Sequence, residues 1–438
     1  MKKQMLIGMM CILIAATTAC GSGDGSSKNT ASKEKRKSND GKTIVTLSSL
    51  MVNPYFEALE KKFEQKYPDI DLQIQAYLGI DEEMTESAAE KYLKQTNSAM
   101  LSGEGADIIE MSYLPVEKYV AKNMLVNMND RLEVDQMLNK SDLNMNVLNG
   151  MKTDGGLYSV PSSFFVGTFV GDGDALAKAV KVDEKNWTWT QFEDVARKFK
   201  ASSQGDQFAL ASYAPERFLQ ILVKNNLTDF IDAQNHQAKF DTPLFVQSLE
   251  QIKKMYDEKI LSANEGKPSN QLFYHTYLYS PLDVAEVAFR FYANPKLLPT
   301  PHTKEDVPGT TFLIPNQLGI SANSPVQDEA WKFIAFLMSE EAQSLNNREG
   351  FSLLTSVNDQ MLRDIEERVK NGEITTKMTN RHFDELKQLI QSASSLAKAD
   401  DKMLSIIEEE SKSYFSGQKS AEEVAKLIQN RVTTYINE

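Results

Sequence analysis

The sequence predicts an α/β fold with parallel-rich sheets flanked by helices, and three observations carry that prediction. Strand-like and helix-like patterns alternate from residue 43 onward. A strand, a helix and a second strand fall within about 30 residues, the length of a βαβ unit. No fixed-period repeat appears anywhere, which argues against a solenoid or propeller.

Residues 43–47 form the first β-rich run. From Pro54, Phe56, Leu59, Phe63 and Tyr67 share one helical face, Pro68 stops the helix, and Ile70, Leu72 and Ile74 alternate as a strand. That order implies parallel strands joined by a right-handed crossover. A long polar helix is expected over 81–101, broken by Gly103 and Gly105. A short buried strand follows at 106–109, then a helix from Pro115. Residues 156–161 read as a strand ending in proline, and 164–170 as another apolar strand. Thr190 and Glu193 read as a capping box ahead of Phe192, Val195, Ala196 and Phe199. Ala330, Phe333, Ile334 and Leu337 form a core stripe. Ser420 and Glu423 repeat the capping pattern before Val424, Leu427, Ile428, Val432 and Tyr435.

Composition removes several functions. At 438 residues, 41% hydrophobic and 25% charged, the chain is ordinary globular protein, neither disordered nor multi-spanning. Lys+Arg 48 against Asp+Glu 61 leaves a net charge of -13, so a nucleic-acid partner has no basic footprint to bind. Four scattered histidines and two cysteines leave no room for a zinc or iron–sulfur site, and no metal or cofactor is expected. There is no G-x-S-x-G, H-E-x-x-H, G-x-x-x-x-G-K-[ST] or C-x-x-C. The acidic runs at 81–83, 366–367 and 408–410 read as solvated helix faces, not paired catalytic carboxylates. Residues 171–174 read as a turn with Asp174 near a helix start, because the ligands of a calcium loop are missing.

The N-terminus reads as an export signal. Lys2 and Lys3 precede an uncharged apolar run over 5–16, shorter than the roughly 18–20 residues of a spanning helix. The following Thr17-Thr18-Ala19-Cys20-Gly21 resembles a bacterial lipoprotein cleavage site, which implies a lipid on Cys20 as the new first residue. Secretion after cleavage near Ala19 is the alternative. Cys11 leaves with the signal (1–19), so no disulfide forms within the mature chain. Residues 20–42 read as a flexible tether, since 21–42 holds no aromatic or branched aliphatic side chain. Its basic cluster of Lys28, Lys33, Lys35, Arg36 and Lys37 is expected in solvent, with anionic headgroups a second reading.

Aromatics at predicted strand ends and loops are the remaining chemical resource, because rings flanked by polar groups suit sugars and other amphipathic solutes. Six segments then bear a common likeness: Phe63-Glu64-Gln65-Lys66-Tyr67-Pro68-Asp69-Ile70, Ser102 to Ile109, Gly156 to Pro161, Trp187 to Phe192, Leu318-Gly319-Ile320-Ser321 with Glu329 to Phe333, and Gly417 to Glu423. In that order, behind such a signal, they resemble extracellular solute-binding lipoproteins of ABC importers, the maltose-binding-protein-like, carbohydrate-type family 1. The likeness covers nearly all of the mature chain. Ala106 replaces the usual proline, Val284 to Tyr292 replaces a G-x-x-A-M segment, and Phe351-Ser352-Leu353 replaces a proline-containing turn.

The resemblance implies a two-lobe periplasmic-binding-protein-like fold with several hinge crossings: 43–163 and 312–350 as lobe 1, 164–311 and 351–438 as lobe 2. It implies a ligand cleft lined by Met111, Ser112 and Tyr113, by Ser163, Phe164 and Phe165, and by Tyr213 and Arg217. It further implies a non-enzymatic receptor, lipid-anchored on the extracytoplasmic face of the cell membrane. That receptor would bind a carbohydrate or oligosaccharide and deliver it to ABC permease subunits. A glycan-acting lipoprotein enzyme, or a receptor for a peptide or polyol, stays open beside it.

Overall fold

Strand β1 (Thr43–Met51) is buried on both faces along most of its length, as a central parallel strand must be. The computed structural model that shows this describes residues 34–437, apart from 180–181, 183–186, 204, 233–234, 306–308 and 398–400. The expected signal, Cys20 and the tether to residue 33 lie outside the described residues.

β1 pairs in parallel with β2 (Ile70–Leu78) and β3 (Ile108–Glu110), so the expected βαβ unit is present. The helix between β1 and β2, Pro54–Lys66, starts where the Asn53 side chain accepts the Tyr55 N–H, and it buries Phe56, Leu59 and Phe63. The next helix is Glu86–Ser102, beginning later than residue 81. Glu82 turns back to accept the Gly79 N–H and Thr85 caps the Ala88 N–H, so the acidic run 81–83 belongs to a turn. Thr188, not Thr190, caps the helix Trp189–Ser202, because its hydroxyl accepts the Gln191 N–H. Asp174 falls in the first turn of the helix Gly173–Ala179, as expected, and Asp172 accepts the N–H groups of Asp174 and Ala175. The capping box of Ser420 and Glu423 forms as expected.

Further along the chain come β4 (Val160–Pro161), β5 (Phe165–Asp172), a small hairpin of β6 (Ile231–Asp232) and β7 (Gln237–Ala238), and β8 (Phe273–Leu278). They are followed by β9 (Pro295–Leu298), β10 (Thr310–Leu313), β11 (Gln317–Ile320) and β12 (Ala393–Leu396). The expected strand over 156–161 shrinks to β4, since Gly156 and Thr153 close a turn on each other. One sheet has the order β2-β1-β3-β11-β4. The other has the order β12-β10-β5-β8, with β9 also on β5. Helices flank both, and the architecture is the expected two-lobe α/β fold.

The chain passes from β4 to β5 through residues 162–164 and returns from β10 to β11 through 314–316. Just before this return, Phe312 and Leu313 pair with Val166 and Phe165 of β5. A third passage runs beside the first, where Phe164 and Phe351 exchange backbone hydrogen bonds of 3.1 and 2.7 Å. Gln343 ties these passages together. Its buried amide donates to the carbonyls of Ser162 (3.0 Å) and Leu337 (2.8 Å) and accepts from Ser352 Oγ (2.8 Å) and the Leu353 N–H (2.9 Å).

The end of the expected tether is held by the body. Arg36 reaches Asp107 at 2.5 Å, Lys35 reaches Glu329 at 2.7 Å, and the Arg36 carbonyl accepts the Ile44 N–H. The reason is Asp107, a buried carboxylate that also needs the Thr46 N–H, Thr46 Oγ1 and Ser324 Oγ as donors.

Gln343→Leu should cost about 2–4 kcal/mol in urea denaturation, because it strands four buried polar groups at once. Gln343→Glu should also destabilise, since a carboxylate has no donors for the Ser162 and Leu337 carbonyls. A loss under about 0.5 kcal/mol for both would show that the passages hold without this amide.

Candidate functional site

Parallel strands β2, β1 and β3 are neighbours, so their C-terminal ends share one edge of the first sheet. The chain departs for the second sheet from this same edge. Gln317 pairs with Pro161, the last residue of β4, and its carbonyl accepts the Met111 N–H just past β3. With passages of three residues, this edge faces the second sheet, the place where open α/β sheets hold ligands.

Glu110, Met111, Ser112 and Tyr113 stand on that edge. The Gln317 side chain fixes their turn, donating to the Met111 carbonyl (3.4 Å) and accepting from Ser159 Oγ (2.7 Å). Glu110 is buried and accepts the Ser112 N–H at 3.0 Å. Burial pushes its carboxyl above the usual range, against the pull of the Ser112 and Leu50 hydrogen bonds. Tyr113 is 47% exposed.

The opposite edge is built by aromatic alternation. Phe273, His275 and Tyr277 occupy every second position of β8, and Tyr279 continues the series. Across from them on β5 stand Phe169, paired with His275, and Phe165. Ring centroids lie 5.1 Å apart for Phe169–His275, 5.4 Å for His275–Tyr277 and 4.5 Å for Phe165–Tyr279. The inner end of this ladder joins Trp189 and Phe192, each 5.8 Å from Phe169. The outer end finishes on Tyr279, 52% exposed. Asp283 holds Tyr279 in place by accepting its N–H (2.6 Å) and that of Ser280 (2.9 Å), a capping box that opens a helix with a π-helical turn at Val284–Ala288. Gly350 is required beside Phe165: it has φ +80°, and a Cβ there would lie 2.7 Å from the Phe164 carbonyl and 2.8 Å from the Phe165 ring.

Burial, then the phenols of Tyr279 and Tyr213, hold the Tyr277 hydroxyl above the ordinary tyrosine range. Tyr213 meets the ladder through its own hydroxyl, which donates to the His275 carbonyl at 3.5 Å. Burial, helped by the Lys224 ammonium, pushes the His275 imidazole down to about 4, and its Nε2 has no partner.

The expected site residues therefore divide. Ser112 and Tyr113 share one edge, and Phe165 and Tyr213 share the other. Ser163 lies in the passage between them, fully buried, its hydroxyl without a partner. Met111 and Phe164 are fully buried; Phe164 packs on Phe312 and Phe351 at 6.2 and 6.0 Å. Arg217 turns to Gln220 (3.0 Å) and Glu408 (3.4 Å) of its own lobe, and the neighbouring Glu216 lines a surface cavity of about 540 Å³ with Glu409 and Lys412. Tyr279, Glu110 and His275 were missed. The rings at 273, 275, 277 and 279 are a period-2 signal that points to Tyr279; nothing in the sequence marks Glu110.

Two α/β lobes with strand ends turned toward each other, and an exposed ring on each, define a two-lobe binding protein. The chain belongs to the bacterial extracellular solute-binding protein family, whose model matches residues 50–344. It is similar to solved structures of that kind. An extracellular solute-binding protein family 1 member from Alicyclobacillus acidocaldarius is 16% identical, with 92% of this chain and 100% of that one covered and a TM-score of 0.62. The sugar-binding protein MalE of Xanthomonas citri is also 16% identical, with 90% and 98% covered and a TM-score of 0.62. The substrate-binding protein Lmo0181 of Listeria monocytogenes, solved with cycloalternan, is 17% identical, with 90% and 99% covered and a TM-score of 0.56. A comparison with curated protein sequences finds no match. At these identities the likeness shows the fold. Among the described residues, no helix is long and apolar enough to cross a membrane.

Glu110 gives a pH test with a definite sign. A carboxyl whose pKa is raised by folding favours the native state below its unfolded pKa and weakens it as pH rises through the window above. Glu110→Gln keeps an acceptor for the Ser112 N–H and cannot ionise. Its stability relative to the parent, from urea denaturation, should therefore improve from pH 4 to pH 7. A gap that stays constant with pH would mean Glu110 carries no such burden.

Proposed function

We propose that this protein is a transport receptor: it binds a carbohydrate between the facing edges and hands it to the permease of an ABC importer. The observation that carries the reading is the pair of exposed tyrosines, Tyr113 and Tyr279, on opposite edges, with Ser112 beside the first, Phe165 beside the second and Ser163 in the passage that joins the edges. A sugar offers C–H faces to rings and hydroxyls to unpaired polar groups, so both kinds of group should converge on it. The neighbours named for sugar binding or solved with cycloalternan support the choice of ligand class. Closure of the lobes by a hinge would bring the edges together over the solute. Tyr213 supports the second edge, Met111 and Phe164 shape the floor from within their cores, and Arg217 serves its own lobe. Glu110, buried with a raised pKa, is the feature that would suit a glycan-cleaving acid instead; product analysis separates the two readings.

Thermal unfolding with a panel of mono- and oligosaccharides is the first test. A ligand at ~100 times its Kd should add about 2.7 kcal/mol to the folded state, with no product formed. Tyr113→Ala and Tyr279→Ala should weaken that ligand by about 1–3 kcal/mol and leave the fold intact, by analogy with stacking of nucleobases on rings. Phe165→Ala should instead cost stability, toward the ~3–5 kcal/mol of a core ring. A panel with no shift, or a ligand indifferent to both tyrosines, counts against the assignment.

The lipid reading has its own test. Cys20→Ala should release the protein into the medium or leave it unprocessed. A variant that stays on the membrane like its parent would remove the lipid from the account.

A further inference from the structure

Ten large apolar side chains are strongly exposed in the described residues, and half of them gather at the two facing edges: Met51, Ile80, Met84, Tyr113 and Tyr279. Their positions follow from the strand register. Met51 ends β1 and pairs with Leu78 at the end of β2. Ile80 stands at the turn that Glu82 closes on the Gly79 N–H, and Met84 directly precedes the Thr85 cap. Because the strand order is β2-β1-β3, the residues Ile80 and Met84, Met51, and Tyr113 stand in a row across three adjacent strand ends, about 10 Å wide at the spacing of neighbouring strands.

Exposure in this row is high, 79% for Ile80, 43% for Met84 and 38% for Met51. These side chains sit at the edge that faces the other lobe, and a thioether or a branched alkyl group gives a bare saccharide neither a hydrogen bond nor a ring face. A row of exposed apolar groups at a cleft rim marks a surface that is covered in use. Methionine adds adaptability, since its unbranched, polarizable chain fits apolar groups of varied shape.

We infer that the ligand is amphipathic: a glycoside whose sugar lies between Tyr113 and Tyr279 and whose aryl or alkyl substituent rests on Met51, Ile80 and Met84. The inference rests on the receptor reading above and adds to it the chemical class of the ligand. Protein docking on the same rim is the competing occupant. Tyr113 follows β3, which pairs with the β1 strand that ends on Met51, so the ring and the row share one sheet edge, and that shared edge favours the ligand.

The test compares glucose, maltose, maltotriose and cellobiose with their 4-nitrophenyl and n-octyl glycosides, below micellar concentrations, by isothermal titration of the mature chain. At least one substituted glycoside should bind about tenfold or more tighter than its parent sugar, the gain expected from covering a few methylene-sized groups. In the double variant Ile80→Ser, Met84→Ser that ratio should fall toward one, whereas Val134→Ser, which alters an exposed side chain outside the row, should retain it. The inference is overturned if the parent sugars bind and the substituent adds nothing, or if the ratio survives the double variant. A double variant that keeps the ratio yet lowers uptake by cells would assign the row to protein docking and overturn it equally. If neither sugars nor glycosides bind, the carbohydrate reading itself fails and takes this inference with it.

Discussion

The architecture depends on one buried amide. Gln343 has no exposed surface, and its two donors and its acceptor oxygen are all engaged, on residues from three different stretches of chain. A neutral amide can do this where a charged group could not, because it supplies donors and acceptors together without the cost of burying an ion. Joining Ser162 to Ser352 and Leu353 fixes the first and third passages side by side. The short backbone ladder between Phe164 and Phe351 then follows, and the edge of the first sheet is set opposite the start of β5. The ligand surfaces proposed above exist because that juxtaposition exists.

Rigidity is graded outward from there. In the second lobe, rings run from a sealed interior at Phe169, Trp189 and Phe192 to an open end at Tyr279. Each inner ring is held by its neighbours in edge-on or tilted contact, and the outer Tyr279 ring leans on Phe165 at 4.5 Å. The Ser280–Asp283 capping box does for the Tyr279 backbone what the ladder does for its side chain. The first edge is held differently, by the Gln317 side chain under the turn after β3. One wall is fixed by packing and the other by hydrogen bonds.

Much of the fold was legible because it is periodic. The strand–helix–strand opening, the core stripe at Ala330 to Leu337 and the terminal capping box each follow from spacing and end chemistry that act locally. Helix starts were less legible. Asp81 to Glu83 and Thr190 look like helix from composition, yet Thr85 and Thr188 win by offering a hydroxyl to the right N–H. At the candidate site, reading 163–165 as one ligand-facing block ignored the period of two in extended chain. Alternation sends Phe164 inward to Phe312 and Phe351 and Phe165 to the other side, against Tyr279. Gln343 could not be found at all from the sequence, since nothing in Glu340-Glu341-Ala342-Gln343 separates a buried hub from an exposed helix end. Its partners are up to 181 residues away, and only tertiary folding brings them to it.

The same constraint limits how the lobes can move. Any closure has to keep the four bonds of Gln343, because breaking them strands buried groups at a cost comparable to much of a domain's stability. Residues 162 and 352–353 therefore turn together as one body. The return passage is tied in as well, since the Ser162 N–H donates to the Asn316 carbonyl at 3.1 Å, and the third passage turns at Gly350, whose left-handed backbone bends the chain beside Phe165. Gly350 also receives Arg348, whose guanidinium donates to the carbonyls of both Gly350 and Gln343 at 2.7 Å. Burial lowers that guanidinium to about 10, still well above neutral pH, so it stays a cation through the motion. Phe165, Gly350, Arg348 and the backbone carbonyl of Gln343 thus form one continuous set of contacts beneath the passages.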